Sequence, residues 1–236
     1  MLVAWCIYLR VNNAGLIDVF WGVNITGIGF INLFARQFDM LSIFAMVLLI
    51  LWGARLTLFL LVTRILKGKQ DPRYEDISSD WKNKKFGFLA QYIFQGVLAW
   101  VIAIPFFTLS YVDSISSIAI VSVTLILLGI IGESLADIQL YNHLHNQNGV
   151  VCQAGLWRYS RHPNYFFECL VWLGFSILGC SAGIGIFSFL SIVMLFSIMW
   201  FITIPITENA SLKKRGVIYE VYISKTSCFI PWFPKV

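Results

Sequence analysis

Six long apolar stretches constrain the fold of this chain more than any other feature of its sequence. Each reaches or approaches the roughly 20 residues that an α-helix needs to cross the hydrocarbon core of a bilayer. They are residues 15–35, 41–66, 88–111, 115–140, 165–180 and 183–206. An apolar segment before them, residues 1–9, is too short to cross alone. The sequence therefore predicts an all-α, polytopic transmembrane helix bundle of about six full spans plus a short N-terminal helix.

The composition agrees with that fold and excludes a soluble domain. Hydrophobic residues occupy 58% of the 236 positions and charged residues only 12%, whereas soluble domains are about a quarter charged. Helices are predicted because long unbroken apolar runs differ from the alternating strands of a membrane barrel. No internal repeat or second domain is visible, so residues 1–236 are predicted to form a single integral membrane domain.

The cysteines indicate no special chemistry. Cys6, Cys152, Cys169, Cys180 and Cys228 include no CxxC pair and no histidine at metal-ligand spacing. Several lie in or beside apolar runs, where cysteine usually packs as a small hydrophobic residue. We therefore predict neither a disulfide framework nor a metal site.

Lysine and arginine residues gather on one side of the predicted bundle. All except Arg36 and Arg55 fall on the side that carries the polar loops 67–86 and 142–164 and the tail 208–236. Cationic loops are retained in the cytoplasm during insertion. The two loops and the C-terminus are therefore predicted to be cytoplasmic.

Three tight turns are predicted on the opposite side, near Asp39, Asp113 and Ser181. The expected location is a bacterial inner membrane. Insertion topology also accounts for the net charge of +5, since basic residues face anionic headgroups. Membrane lipid is thus an expected partner and nucleic acid is not.

Ionisable residues inside the predicted spans mark candidate functional positions, because each costs at least about 2.5 kcal/mol to insert. They are Asp18, Arg55, Glu133, Asp137 and Glu168. Glu133, Asp137 and Tyr141 are spaced four residues apart and share one helix face, as do Asn164 and Glu168. These faces are predicted to look into one polar pocket. The alternative is that Arg55 and an acid form a pair that only fixes helix packing.

The segment GLWRYSRHPNYFFE, residues 155–168, predicts an anion site. Arg158, Arg161 and His162 precede Pro163, which opens a helix whose free N–H groups favour a phosphate. In the alternative interpretation, Pro163 is an ordinary first-turn residue and the arginines extend to lipid headgroups. The residues alone leave both interpretations open.

Several motifs spread over residues 17–231 carry a family resemblance. They are IDVFWG, LWGARL, DPRYED, GESLADIQL, GLWRYSRHPNYFFE and TENASLKKRGVIYEVY, followed by FIPW. In order and spacing they resemble the C-terminal domain of the steroid 5-alpha-reductase family, and most closely its bacterial branch, known as a domain of unknown function. The RHPNY and E-to-GxxYxxY pieces are also similar to the isoprenylcysteine carboxyl methyltransferases.

The resemblance implies a membrane reductase that uses NADPH to saturate a C=C bond conjugated to a carbonyl in a lipid or steroid-like substrate. Together with the charged positions above, it gives cofactor-binding candidates: Arg55, Asp137, Arg158, Arg161, His162, Asn164 and Glu168. The substrate-pocket candidates are Asp18, Trp21, Trp52 and Glu133. Trp52 stands where the steroid enzymes carry a catalytic tyrosine, and its indole cannot deliver a proton. Glu168 and Tyr165 are the remaining catalytic candidates.

Two other function classes stay open. A lipid or isoprenoid methyltransferase would use S-adenosylmethionine, whose sulfonium suits the carboxylates Glu133, Asp137 and Glu168. A non-catalytic membrane protein would use the same polar groups only to pack its helices. Ligand binding separates the three, because NADPH, S-adenosylmethionine or neither would stabilise the protein.

Overall fold

The computed structural model describes residues 1–35, 40–66, 74, 77–109, 118–146, 150–180 and 185–235. These residues form helices and no β-strand. In chain order they are α1 (Leu2–Val11), α2 (Leu16–Phe34), α3 (Met40–Leu60), α4 (Lys84–Ile102), α5 (Ile104–Leu109), α6 (Ile118–Asn146), α7 (Pro163–Gly179), α8 (Phe189–Ile198), α9 (Ile204–Arg215) and α10 (Val217–Lys225). The predicted all-α polytopic bundle is confirmed.

Five helical segments of the described chain are long and apolar enough to cross a membrane. They are Leu16–Phe34, Met40–Leu66, Lys84–Leu109, Ile118–His145 and Gly185–Arg215. The sixth predicted span, 165–180, forms α7, which has 17 residues. At 1.5 Å per residue α7 extends about 25 Å, less than the roughly 30 Å of a hydrocarbon core.

Helix α1 has ten residues, as expected of the short N-terminal segment. The three turns predicted near Asp39, Asp113 and Ser181 lie outside the described residues. The apolar helices support an integral membrane protein, while the particular membrane and the cytoplasmic side of the loops stay predictions.

The chain divides into two compact units. Unit 1 comprises Met1–Ser114 with Ala182–Phe187, and unit 2 comprises Ile115–Ser181 with Ser188–Val236. The single integral membrane domain over residues 1–236 stays a prediction, and the units are described in turn.

Unit 1 is built around α2, which packs against α3, α4 and α5. Fully buried apolar side chains fill its centre, among them Ile25, Leu33 and Trp52. Helix α1 lies on α4, where the rings of Tyr8 and Phe88 are 4.8 Å apart. A helix too short to span thus buries its apolar face against a longer one.

Unit 2 is built around the antiparallel pair α6 and α7, which form the most extensive helix contact among the described residues. Close approach is possible because small residues lie at the contact. A Cβ atom added at Gly129 would come within 2.8 Å of the Phe167 carbonyl oxygen and of the Val171 amide nitrogen. The backbone of α7 therefore occupies the space that a side chain at residue 129 would need.

The last span continues further than the sequence predicted. A π-helical turn, Met199–Thr203, joins α8 to α9, and α9 runs to Arg215 instead of ending near residue 206. Gly216, with φ of 53°, ends α9 and starts α10. The segment expected to be a polar tail from residue 208 is therefore helical up to Lys225, with one break at Gly216.

Candidate functional site

Four polar side chains lie at the contact between α6 and α7, and we call them the acceptor seam. Glu133 and Asp137 belong to α6, and Asn164 and Glu168 to α7. The three carboxyl side chains are all buried. The sequence prediction that each pair shares a helix face agrees with this placement in one seam.

Hydrogen bonding within the acceptor seam does not use the carboxamide oxygen of Asn164. Asn164 Nδ2 donates to Asp137 Oδ1 at 3.4 Å, and Trp172 Nε1 donates to Glu168 Oε1 at 2.9 Å. Asn164 Oδ1 is buried and has no hydrogen-bond partner among the described residues. Because an unpaired buried acceptor costs about 1–3 kcal/mol, a ligand that donates a hydrogen bond here gains that amount.

A second cluster forms where the start of α7 meets the end of the chain, and we call it the Arg161 clasp. It consists of Arg161, His162, Glu208 and residues 226–229. Arg161 Nε donates to Glu208 Oε1 at 2.7 Å, and Nη1 donates to the carbonyl oxygen of Thr226 at 2.6 Å. His162 Nε2 lies 3.1 Å from the same Glu208 oxygen.

The Arg161 clasp bears on the predicted anion site. A negative group does face Arg161 and His162 at the start of α7, and it is the protein's own Glu208 carboxylate. The sequence analysis placed Glu208 in a tail and gave it no role, because it did not foresee that α9 continues. Arg158 is exposed and is the cation of the predicted site that faces outward.

The surroundings of Arg161 favour its charged form. Burial disfavours a charged guanidinium, but the hydrogen bond and the negative charge of Glu208 outweigh it and raise the pKa of Arg161 above its ordinary value. Arg161 therefore stays cationic at any physiological pH, and the contact is a charge-assisted hydrogen bond.

Hydrogen bonds to backbone carbonyl oxygens hold the last helix and the chain end against the loop before α7. The Arg161 amide donates to the Ser227 carbonyl oxygen at 2.9 Å, and Ser160 Oγ donates to the Phe229 carbonyl oxygen at 2.8 Å. The Tyr222 hydroxyl donates to the Trp157 carbonyl oxygen. Burial raises the pKa of Tyr222, so its hydroxyl keeps the proton that this bond requires.

Tyr219 and Tyr222 were likewise not assigned by the sequence analysis. Both side chains are buried on α10, three residues apart and therefore on one face. The signal that identifies them is the GxxYxxY spacing after Gly216, which places both tyrosines in the first turns of a helix against the loop.

The remaining predicted site residues lie in unit 1. Asp18 accepts a hydrogen bond from the Tyr74 hydroxyl at 2.6 Å and lies 3.6 Å from Arg64 Nη1. Trp52 is fully buried, and the Arg55 guanidinium lies 6.0 Å from the centre of the Phe59 ring. Trp21 is partly buried. Asp18 is thus an ion-pair partner of Arg64, a residue the sequence analysis had not connected with it.

Three potential metal ligands do meet in the described part of unit 2. The ligand atoms of His162, Glu208 and Cys228 lie within 4.8 Å of one another. The Arg161 guanidinium, 2.7 Å from Glu208 Oε1, places a positive charge on the shared carboxylate and opposes a cation there. The absence of a metal site stays our prediction.

Comparison with known proteins gives the family but no activity. No solved structure matches the chain. An uncharacterized protein of Schizosaccharomyces pombe is 24% identical over 270 residues, which cover 97% of this chain and 76% of the relative. A family model described as a protein of unknown function, DUF1295, matches residues 4–226. The chain therefore belongs to the DUF1295 family.

Proposed function

We propose that this protein is a membrane-embedded reductase that uses NADPH to saturate a C=C bond conjugated to the carbonyl of a lipid or steroid-like substrate. The proposal rests on the resemblance of its motifs to the steroid 5-alpha-reductase family and on the chemistry of the acceptor seam. In the net reaction, a hydride adds to the β-carbon of the enone and a proton adds to the α-carbon.

The observation that carries the proposal is the free acceptor at Asn164 Oδ1. The nicotinamide carboxamide and the ribose hydroxyls of NADPH are hydrogen-bond donors, and Asn164 and Asp137 are buried acceptors side by side. A charged phosphate does not suit a seam of carboxyl groups. The seam therefore fits the nicotinamide end of the cofactor, which when bound supplies the hydride.

The phosphate end needs cations outside the acceptor seam. Arg158 is exposed two residues before the buried Ser160, whereas Arg161 already holds Glu208 and two backbone carbonyls. We therefore assign phosphate contact to Arg158 and a positioning role to Arg161, which fixes the backbone at the start of α7.

The proton donor is a separate part of the proposal. Trp52 cannot supply a proton, but Tyr165 follows Asn164 directly and stacks its ring on His162, with ring centres 5.2 Å apart. A phenol is the group that the steroid enzymes use at the equivalent step. Tyr165 is thus our candidate donor, and Glu168, which accepts from Trp172, is the second.

One observation favours an alternative activity, methyl transfer from S-adenosylmethionine to a lipid. The RHPNY and E-to-GxxYxxY pieces resemble the isoprenylcysteine carboxyl methyltransferases. In this chain Arg161 contacts Glu208 within the Arg161 clasp, and Tyr222 donates to the Ser160 carbonyl oxygen beside it. The buried carboxylates of the acceptor seam would also suit a sulfonium.

Thermal melting of the detergent-purified protein separates these activities. A ligand at a hundredfold excess over its dissociation constant stabilises a protein by about 2.7 kcal/mol. We expect the melting midpoint to rise with NADPH and not with S-adenosylmethionine. A rise with S-adenosylmethionine alone would replace the reductase by the methyltransferase, and no rise with either would favour a non-catalytic protein.

Two variants in the same melting experiment test whether the cofactor binds at the acceptor seam. Asn164→Leu removes the free acceptor and should abolish the NADPH response. Glu220→Gln changes an exposed carboxylate on α10 and should preserve the response. An unchanged NADPH response in Asn164→Leu would remove the acceptor seam from the cofactor site.

A further inference from the structure

Unit 2 contains an apolar cavity that the proposed cofactor site does not use. Its volume is about 520 Å³. It lies between α7, the last membrane span and the chain end, and its lining includes Leu173, Phe196, Trp200, Ser227, Cys228 and Ile230. We call it the tail cavity.

The tail cavity has one polar end. Nearly all of its walls are hydrocarbon or aromatic, and the polar side chains among them are the thiols and the Ser227 hydroxyl. At that end, Cys228 Sγ lies 3.9 Å from Glu208 Oε1, which contacts His162. The cavity thus leads from an apolar interior to the Arg161 clasp.

The tail cavity opens where apolar side chains are exposed. Phe196 and Trp200 are 38% and 40% exposed, and Ile230 is 61% exposed. Phe196 and Trp200 belong to the span Gly185–Arg215, so lipid surrounds them in a membrane. A molecule dissolved in the hydrocarbon phase reaches the opening without passing through water.

We propose that the tail cavity binds the hydrocarbon chain of a single-chain lipid, with the neutral polar end of that lipid at Ser227 and Cys228. This names the substrate class of the reductase and rests on the proposed function. An apolar cavity of about 150 Å³ holds one benzene, so the tail cavity holds on the order of twenty carbon atoms.

The chemistry of the walls selects this occupant. Water needs several polar partners and does not fill an apolar cavity. A phosphate or carboxylate headgroup is disfavoured because the polar side chains at this end, Ser227 and Cys228, are uncharged, while the nearby Arg161 is already paired with Glu208, so a buried anion would have no cation of its own. A chain with a neutral oxygen at its end, such as the carbonyl of the proposed substrate or the hydroxyl of an alcohol used as a probe, meets only groups that it can pack against or hydrogen-bond.

Photo-crosslinking with diazirine-bearing hexadecanol tests the tail cavity in the full chain, reconstituted in nanodiscs. Peptide mass spectrometry identifies the labelled residues, and unlabelled hexadecanol competes. We expect saturable labelling at cavity residues of α7 and α8. Leu173→Trp fills the cavity and should lower this labelling at least about fivefold, whereas Leu190→Trp, at an exposed position on α8, should not.

A second measurement uses the wild-type thiols, in case Leu173→Trp does not fold. Hexadecanol should slow alkylation of Cys228 by N-ethylmaleimide and leave the exposed Cys6 unaffected. Non-saturable labelling together with no protection of Cys228 would overturn the proposal. Neither readout needs NADPH. If the protein binds hexadecanol in this way but shows no NADPH response, the proposed lipid site would stand and the proposed reductase activity would be wrong.

Discussion

The Arg161 clasp and the acceptor seam lie in the same unit and use similar residue types, yet they differ in how completely they satisfy their polar groups. In the clasp, the Arg161 side chain binds one carboxylate and two carbonyl oxygens. In the seam, the carboxamide oxygen of Asn164 is buried without a partner among the described residues.

This difference distinguishes polar groups that hold the fold together from polar groups that are available to bind a ligand. A buried charge that finds all its partners within the chain fixes a conformation, and its removal costs stability. A buried acceptor left over lowers stability until a ligand donates to it. We therefore expect clasp variants to affect folding most, and seam variants to affect ligand response most.

Removing the cation of the clasp should have the largest effect. Arg161→Ala leaves the Glu208 carboxylate without its charge partner, and we expect a loss of about 3 kcal/mol in the free energy of unfolding. Denaturation by SDS in mixed micelles measures it. Arg158→Ala, at an exposed position, should stay within about 0.5 kcal/mol, and equal losses in the two variants would contradict the structural role of the clasp.

A side chain added at the contact between α6 and α7 should have the second-largest effect on stability. Gly129→Ala places a methyl group within 2.8 Å of the α7 backbone, and overpacking of this kind costs about 1–3 kcal/mol. It should also weaken the NADPH response, because it moves the acceptor seam. Gly27→Ala is the control, since nothing described lies within 4 Å of the added atom. The melting midpoint of both variants is measured with and without NADPH, and equal midpoints and equal NADPH responses would contradict the prediction.

Removing the hydroxyl of Tyr222, beside the Arg161 clasp, should also lower stability without affecting the ligand response. Tyr222→Phe leaves the buried Trp157 carbonyl oxygen without its donor and should cost about 1–2 kcal/mol. The NADPH response should persist, because the ring still packs. Tyr159→Phe is the matched control at a partly exposed tyrosine, and a comparable loss there would show that the measured effect is not specific to this hydrogen bond.

Alkaline pH should weaken the region around the clasp. Burial, followed by the charge of Glu208, raises the pKa of Tyr219 from 10.0 to about 12. Between these values the unfolded chain has released the proton and the folded chain still holds it, so stability falls as the pH rises. Tyr219→Phe should lose less stability from pH 10 to 12 than the wild type, by on the order of 1 kcal/mol, in parallel melts.

The smallest effect on stability should accompany the loss of ligand response. Asn164→Leu removes an unpaired buried acceptor, which stabilises the fold, and also the long 3.4 Å hydrogen bond to Asp137, which destabilises it. Because the two effects oppose each other, the free energy of unfolding should change by less than about 1 kcal/mol. The same variant should lose the NADPH shift completely. A large destabilisation with an intact NADPH shift would reverse the roles we give to the acceptor seam and the clasp.

Local patterns predicted the faces of the site but not its partners. The four-residue spacing of Glu133 and Asp137 was enough to place both on one helix face, because helical geometry depends only on spacing. The contact of Glu208 with Arg161 joins residues 47 positions apart and depends on how far α9 continues. The pairing of Asp18 with Arg64 is long-range in the same way.

The sequence by itself determined the membrane-embedded helical class and the approximate positions of five of the six predicted spans. Apolar run length and backbone hydrogen bonding in a bilayer decide these locally. Only the tertiary structure decided that Glu208 faces Arg161, that Asn164 keeps an unpaired acceptor and that the tail cavity forms. Each of these depends on side chains from distant segments meeting at one place, which no local pattern specifies.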